Sequence, residues 1–141
     1  ALEAAGVTNY SSYRLDGKSL LPYLKNKNNQ GPHQQLVWRK DKAAAIRSGK
    51  YKLIQVEGAG DRLYDLSKDP GETKNLVSKR PEIYKRLKQQ FVLWEKDKML
   101  PLWTEGAVWD TITLMIHDDL MNNRKVRVRN PEELKEFQLK K

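Results

Sequence analysis

The chain has 141 residues, enough for one domain with one core. It contains no cysteine, which excludes disulfides and thiolate metal sites, and no apolar run near twenty residues, which excludes a transmembrane helix of the usual kind. With 38% hydrophobic and 32% charged residues it reads as a soluble globular chain with a lean core, and its net charge of +9 suits polyanions: nucleic acid, an anionic membrane or sulfated glycans. The plainer reading of that charge is a surface tuned for solubility, or a face that meets an acidic partner domain.

Ala1–Val7 has neither a basic start nor a long apolar segment, so no signal peptide is expected. It reads as the end of a helix capped by Gly6. Asn9-Tyr10-Ser11 matches a glycosylation sequon, a pattern common by chance. Asp16-Gly17 is a turn. Ser19–Leu24 is a short apolar helix start with proline in its first turn. Lys25–Gly31, rich in Asn and Gln, is a loop and the natural boundary.

From Leu36 to Leu76 the pattern changes to period two. Runs at Leu36–Arg39 (within Pro32–Lys40), Ala44–Arg47, Tyr51–Val56 and Arg62–Leu66 read as strands. Ser48-Gly49 supplies a tight hairpin turn, and Gly58-Ala59-Gly60 a hairpin loop. Asp69-Pro70-Gly71 stops the last run. Connections this short demand antiparallel neighbours, so the stretch predicts a meander of about four strands. Pro81–Lys98 then shows an apolar stripe of Ile83, Leu87, Phe91 and Trp94, widened by Tyr84, with Ser78 and Pro81 marking its start. It predicts a helix laid across the sheet. Its other face carries Lys85, Lys88, Gln89 and Lys96, read as solvated surface, with a polyanion role as the sharper alternative.

Residues 101–141 form a mixed extension. Trp103 and Trp109 sit in an aromatic-rich stretch. A loop tryptophan can stack a sugar, but packing in the core or an interdomain seam is the simpler reading. Asp110–Met121 fits a strand by Ile112, Leu114 and Ile116, and a helix by Val108, Ile112, Met115 and Asp119. Arg124–Arg129 alternates as a half-exposed strand. Asn130-Pro131-Glu132-Glu133 is a helix start, followed by an apolar edge of Leu134, Phe137 and Leu139. The expected fold class is α+β: an antiparallel meander packed on one long C-terminal helix, plus this mixed tail.

The motifs in the meander resemble one family. Ala45-Ile46-Arg47, Gly49, Tyr51-Lys52-Leu53-Ile54, Leu63-Tyr64-Asp65-Leu66, Asp69-Pro70-Gly71-Glu72 and Asn75-Leu76 look like the C-terminal subdomain of the formylglycine-dependent sulfatases. Upstream, Leu15-Asp16-Gly17 with Ser19-Leu20-Leu21-Pro22-Tyr23-Leu24 is similar to that family's DGxSLLPxL segment. The resemblance covers about Ala1 to Trp94. It implies that residues 1–31 are a remnant and linker of a large catalytic domain, 32–100 the α+β subdomain, and 101–141 an extension.

The resemblance also implies a chemistry that lies elsewhere. The family needs a C/S-x-P-x-R motif whose cysteine or serine becomes formylglycine, and a calcium ion held by oxygen ligands. This chain has no cysteine, and no serine begins that motif. The fragment alone is therefore expected to be inactive, with no catalytic or metal residue of its own, and calcium and formylglycine are expected in the catalytic domain. The implied partners are that N-terminal domain and a sulfated carbohydrate or aryl sulfate. A membrane is not implied, and the parent enzyme would be periplasmic, secreted or lysosomal. In the family this subdomain flanks the mouth of the active site, so His33, Trp38, Arg39, Lys42 and Trp103 are candidates for holding an anionic glycan. Leu114–Leu120 resembles the family's metal-binding start, an apolar strand followed by Asp118-Asp119. It lies at the wrong end of the chain and lacks an Asp-Asn partner, so a turn or helix cap is the simpler reading.

Two alternatives stay open. One is a basic α+β module binding nucleic acid, disfavoured because no RNP-like aromatic pair sits on a strand. The other is the equivalent piece of a phosphate or phosphonate ester hydrolase. P-loop, zincin and nucleophile-elbow motifs are absent.

Overall fold

A computed structural model describes residues 1–7, 9, 12, 15, 17–25, 31–99 and 102–140. The chain divides into two compact units, residues 1–34 and 35–141. In the first, residues 2–6 close a single turn. The Gly6 N–H donates to the Glu3 carbonyl and the Val7 N–H to that of Leu2, with Gly6 at φ 76°. This is the hydrogen-bond pair of a Schellman cap, which needs a left-handed residue where glycine has no steric penalty. Helix α1 spans Leu21–Leu24 with Pro22 in its first turn, and the Ser19 Oγ accepts from the Leu21 N–H at 3.3 Å. Parts of the sequon, of the Asp16-Gly17 turn and of the Lys25–Gly31 loop lie outside the described residues.

In the second unit β1 (Gln35–Lys40), β2 (Ala43–Ser48), β3 (Tyr51–Val56) and β4 (Gly60–Asp65) form one antiparallel sheet in chain order. The meander stands, with shifted ends. Residues 32–34 lie outside β1, and Leu66 lies beyond β4. Ser48 pairs with Tyr51, so the hairpin turn is Gly49-Lys50 rather than Ser48-Gly49, and Gly49 takes the positive φ, 58°. The register lines up Val37, Ile46, Leu53 and Leu63 in one row across the sheet. On this row lies α2 (Pro81–Glu95), which buries Leu87 and Phe91 against Ile46, Leu53 and Leu63, with Ile83, Tyr84 and Trp94 around them. The helix ends at Glu95, short of Lys98, and Arg80 rather than Ser78 occupies its N-cap.

Sulfatase-like motif residues tie β4 to α2. The Asn75 Oδ1 accepts from the N–H groups of Leu63 and Val77, each at 3.1 Å, and the Leu76 N–H donates to the Leu63 carbonyl at 2.8 Å. The free edge of β4 is thus occupied at Leu63, where an open edge would invite foreign strands. Asp69 accepts from the N–H groups of Thr73 and Lys74, which hold its carboxyl below the usual carboxylate range. Lys52 reaches Glu72 at 2.6 Å and fixes the same loop to β3.

The tail settles the ambiguous stretch as a helix. Three helices follow the sheet, where the sequence predicts one long helix and a mixed tail: α2, then α3 (Ala107–Met121) and α4 (Pro131–Leu139). Arg124–Arg129 is not a strand. Its residues are held by side chains instead of a ladder, and Val128 is buried with Ile112 and Leu134 in a small second core. Asn130 caps α4 as its sequence requires, its Oδ1 accepting from the Glu133 N–H at 2.8 Å. Phe137 joins the core, whereas Leu139 is 87% exposed.

Replacing Asn75 by Ala leaves two N–H groups without their acceptor and should cost about 1–3 kcal/mol in urea unfolding. Leu87→Ala, which opens a cavity under α2, should cost about 2–5 kcal/mol. A loss below roughly 0.5 kcal/mol for Asn75→Ala, the size of an ordinary surface change, would show that the β4 edge is held by other means.

Candidate functional site

The sheet's second face is only partly covered. Its rows are Leu36–Arg47–Lys52–Tyr64, Trp38–Ala45–Ile54–Arg62 and Lys40–Ala43–Val56–Gly60. Helix α3 packs Leu114 and Met121 near the last row, on Ala43, Val56 and Ile54. Beside it runs a groove of about 610 Å³ whose floor is Ala43, Ala45 and Ile54 and whose sides are Trp38, Lys40 and His117. A second hollow, about 470 Å³, shares Lys52, Ile54 and His117 and extends to Tyr64, Leu120 and Arg124. Trp38 is 51% exposed, a large apolar side chain on a strand face with nothing of its own unit upon it.

Cations rim this surface. Lys40 pairs with Glu105 at 3.1 Å and Lys52 with Glu72 at 2.6 Å. His117 lies between the two hollows. Burial, and then the nearby Lys40, push its pKa below the ordinary 6.5, so the imidazole is neutral at pH 7. It can there both donate and accept a hydrogen bond.

The end of α3 that carries His117 is clasped from outside. Carboxylates at a helix C-terminus oppose the helix dipole, so Asp118 and Asp119 need cationic partners. The fully enclosed Asp119 receives the Arg127 N–H and Nε, both at 3.0 Å to Oδ2, and the Arg124 Nε at 3.1 Å to Oδ1. Asp118 pairs with Arg124 and, at 3.3 Å, with Arg127. Arg127 first of all holds the Asp119 pKa below the usual carboxylate value. The stretch that resembles a metal-binding start is thus a helix end held by arginines. Among the described residues no three His, Asp or Glu side chains converge as a metal site would require.

The five candidates from the sequence are scattered. Trp38 lines the groove. Arg39, of opposite parity in β1, reaches Glu95 of α2 at 3.2 Å. Lys42, in the β1–β2 loop, reaches Asp110 of α3 at 3.5 Å. Trp103 is 81% exposed between α2 and α3, so it does not plug this unit's core. His33, half-buried, belongs to the first unit. Sequence reasoning misses Lys40, Lys52 and His117. Lys40 shares the parity of Trp38, a signal that could have found it; His117 carries no such signal until α3 is known to be a helix.

No family model matches the chain. A segment of 57 residues is 40% identical to an uncharacterized sulfatase of Schizosaccharomyces pombe, covering 38% of this chain and 10% of that protein. A segment of 86 residues is 35% identical to a Delta 4,5-hexuronate-2-O-sulfatase of Bacteroides thetaiotaomicron, covering 55% of this chain and 18% of that one. Two solved structures share the fold. One comes from work on the metabolism of multiple glycosaminoglycans by Bacteroides thetaiotaomicron: TM-score 0.53, 21% identity, 67% of this chain and 23% of that chain. The other is Ps i-CgsB in complex with k-i-k-neocarrahexaose: TM-score 0.60, 19% identity, 78% of this chain and 25% of that chain. By sequence and by fold the chain is similar to part of these sulfatases, which supports the resemblance to a sulfatase C-terminal subdomain. It spans a tenth to a quarter of the length of these relatives. The motif residues that carry the resemblance form the hairpin turn and the β4–α2 clamp.

Acid should act on the subdomain through α3. Asp119 has a depressed folded pKa, so its contribution is present above about 3.8 and is lost as pH falls through the lower folded value. Asp119→Asn should lower stability at pH 7 and flatten the acid limb of a urea-stability-versus-pH curve. An unchanged acid limb would show that the clasp adds nothing. The His117 imidazole should titrate by proton NMR with a midpoint below 6.5; a midpoint at or above that would mean the groove is open to water at this point.

Proposed function

We propose that this subdomain packs against the catalytic α/β domain of a sulfatase through the uncovered sheet face and helps line the entrance for a sulfated substrate. The observation that carries the reading is that face. Leu36 and Trp38 are 39% and 51% exposed, and Trp38 stands beside an apolar floor that the described residues of this unit do not fill. Contiguous exposed apolar surface rimmed by polar groups marks a site of interaction. The limited span of this chain along its sulfatase relatives supplies the partner: the remainder of such an enzyme. In that arrangement the apolar rows form the seam, and Lys40, Lys52 and His117 stand at its margin.

The reaction is hydrolysis of a sulfate ester, with the formylglycine nucleophile and calcium in the catalytic domain. This chain's part is to bind and orient. Lysines at the margin attract the sulfate, the neutral His117 offers a hydrogen bond to a hydroxyl, and Trp38 offers a flat apolar face to a sugar ring. The names of the relatives, with their hexuronate and glycosaminoglycan terms and a bound neocarrahexaose, support a sulfated carbohydrate rather than a small aryl sulfate. Such substrates place the parent enzyme in the periplasm or outside the cell. No helix among the described residues is long and apolar enough to cross a membrane. Of the five sequence candidates Trp38 has the strongest case. Arg39 and Lys42 would have to leave Glu95 and Asp110, and His33 and Trp103 stand as candidates outside the groove.

In the full sulfatase that carries this chain, Trp38→Ala should raise KM for a sulfated oligosaccharide roughly fivefold, the value of one aromatic contact of about 1 kcal/mol. The kcat, and all kinetics on a small aryl sulfate, should stay within about twofold, as loss of uniform binding requires. Equal KM for wild type and variant on the oligosaccharide would remove Trp38 from the entrance.

A further inference from the structure

Several cations of the second unit have no carboxylate partner among the described residues, and two of them share one face of α2. Most cations near the sheet are neutralised: Arg39 by Glu95, Lys42 by Asp110, Lys50 by Asp65, Lys52 by Glu72, and Arg124 and Arg127 by the Asp118–Asp119 pair. Along α2 the situation reverses. Lys85 and Lys96 lie on the face turned from the sheet, and no described carboxylate stands within ion-pairing distance of either. Lys88 lies between them. It is fixed in place by the Asp61 carboxylate at 3.0 Å and the Tyr84 hydroxyl at 2.9 Å.

These lysines border a shallow depression of about 440 Å³ that also includes Gln89, Val92 and Leu93. Val92 and Leu93 are 46% and 55% exposed. The strip therefore alternates cation, amide and apolar patch from Lys85 to the C-cap Lys96, eleven steps of about 1.5 Å or roughly 16 Å. That is the pattern a sulfated sugar chain presents in complement: sulfates at intervals, hydroxyls, and the apolar faces of the rings.

We propose that the outer face of α2, through Lys85, Lys88, Gln89, Val92 and Lys96, is an exosite for a linear sulfated polysaccharide, separate from the groove on the opposite side of the sheet. The proposal rests on the sulfatase reading, which makes a sulfated polymer the anion at hand. It also follows from that reading that α2 faces outward, because the catalytic domain takes the other side of the sheet. A polymer held here is tethered to the enzyme while its end is processed, which raises its local concentration without adding any contact at the reacting bond. Single-stranded nucleic acid suits the strip less well. It needs exposed aromatic faces for stacking, and the one ring here, Tyr84, is covered by the Lys88 ammonium at 5.3 Å from its centroid and tied by its hydroxyl to Asp61.

The test is calorimetric titration of the 141-residue chain with heparin, with desulfated heparin and with poly(U), at two salt concentrations. Lys85→Gln/Lys96→Gln is compared with Lys125→Gln/Lys135→Gln, which removes the same charge from the tail. The expected result is salt-sensitive binding of heparin alone. It should weaken about tenfold in the α2 variant, with a salt slope reduced by roughly two, and less than about twofold in the tail variant. Equal weakening by both variants would overturn the exosite in favour of diffuse charge. Binding of poly(U) as tight as that of heparin would overturn the carbohydrate assignment, and absence of heparin binding would overturn the exosite. In the full enzyme the α2 variant should hydrolyse a small sulfate ester at the wild-type rate. Absence of heparin binding in an enzyme that retains that activity therefore overturns the exosite alone, whereas a full enzyme that hydrolyses no sulfate ester overturns the proposed function.

Discussion

The constraint on which this structure turns is that its sheet is apolar on both faces. In β3, Leu53 points to one side and Ile54 and Val56 to the other, and both sets need cover. Helix α2 satisfies the first face completely, because Leu87 and Phe91 meet Ile46, Leu53 and Leu63 along one row. On the second face, among the described residues of this unit, α3 reaches Ala43, Val56 and Ile54 and leaves Trp38 about half exposed, 51%. The proposed function rests on this asymmetry: one face carries the core under α2, and the other is only partly covered by the described residues of this unit.

Charge enforces the same division. The ion pairs do not stabilise by themselves to any large extent, since exposed pairs are worth little. Their effect is to fix geometry. Arg39–Glu95 joins β1 to α2, Lys42–Asp110 joins the β1–β2 loop to α3, and the Arg124–Arg127 clasp on Asp118 and Asp119 closes the end of α3. The enclosed carboxylate of Asp119 is the costly member, and it is tolerated because three hydrogen bonds from arginine groups meet its two oxygens. Removing these partners would free the end of α3 that bears His117 from the segment that follows it.

Much of this is legible in the sequence, for reasons that can be named. The meander is readable because period-two alternation and short loops leave one pairing scheme. The Asn130-Pro131 start of α4 is readable because capping is local. Arg124–Arg129 misleads because its alternation of valine and cation is what a strand would show, and only the tertiary contact of Arg127 with Asp119 decides otherwise. The stretch 110–121 is ambiguous because Ile112, Leu114 and Ile116 satisfy both periods. Packing in two directions at once selects the helix, Leu114 toward the sheet and Ile112 toward α4. Trp38 is identifiable as a candidate, but its neighbours in the groove come from β2, β3 and α3, and no reading of one strand could supply them.

The division of labour that results is physically coherent. A sulfatase must neutralise and orient an anion on a sugar that is itself often polyanionic, and it must do so without trapping the product. Under the proposed function, a subdomain with no nucleophile would contribute through weak, replaceable contacts: ammonium groups already shared with carboxylates, a neutral imidazole and an aromatic face. Lys40 and Lys52 each have a resident carboxylate, Glu105 and Glu72. Under the proposed function, a sulfate arriving there would compete with a partner rather than fill an empty cation site, and so would be bound loosely and exchange. In that proposal the neutral state of His117 would act in the same direction, since an imidazolium there would add a third cation beside the two lysines.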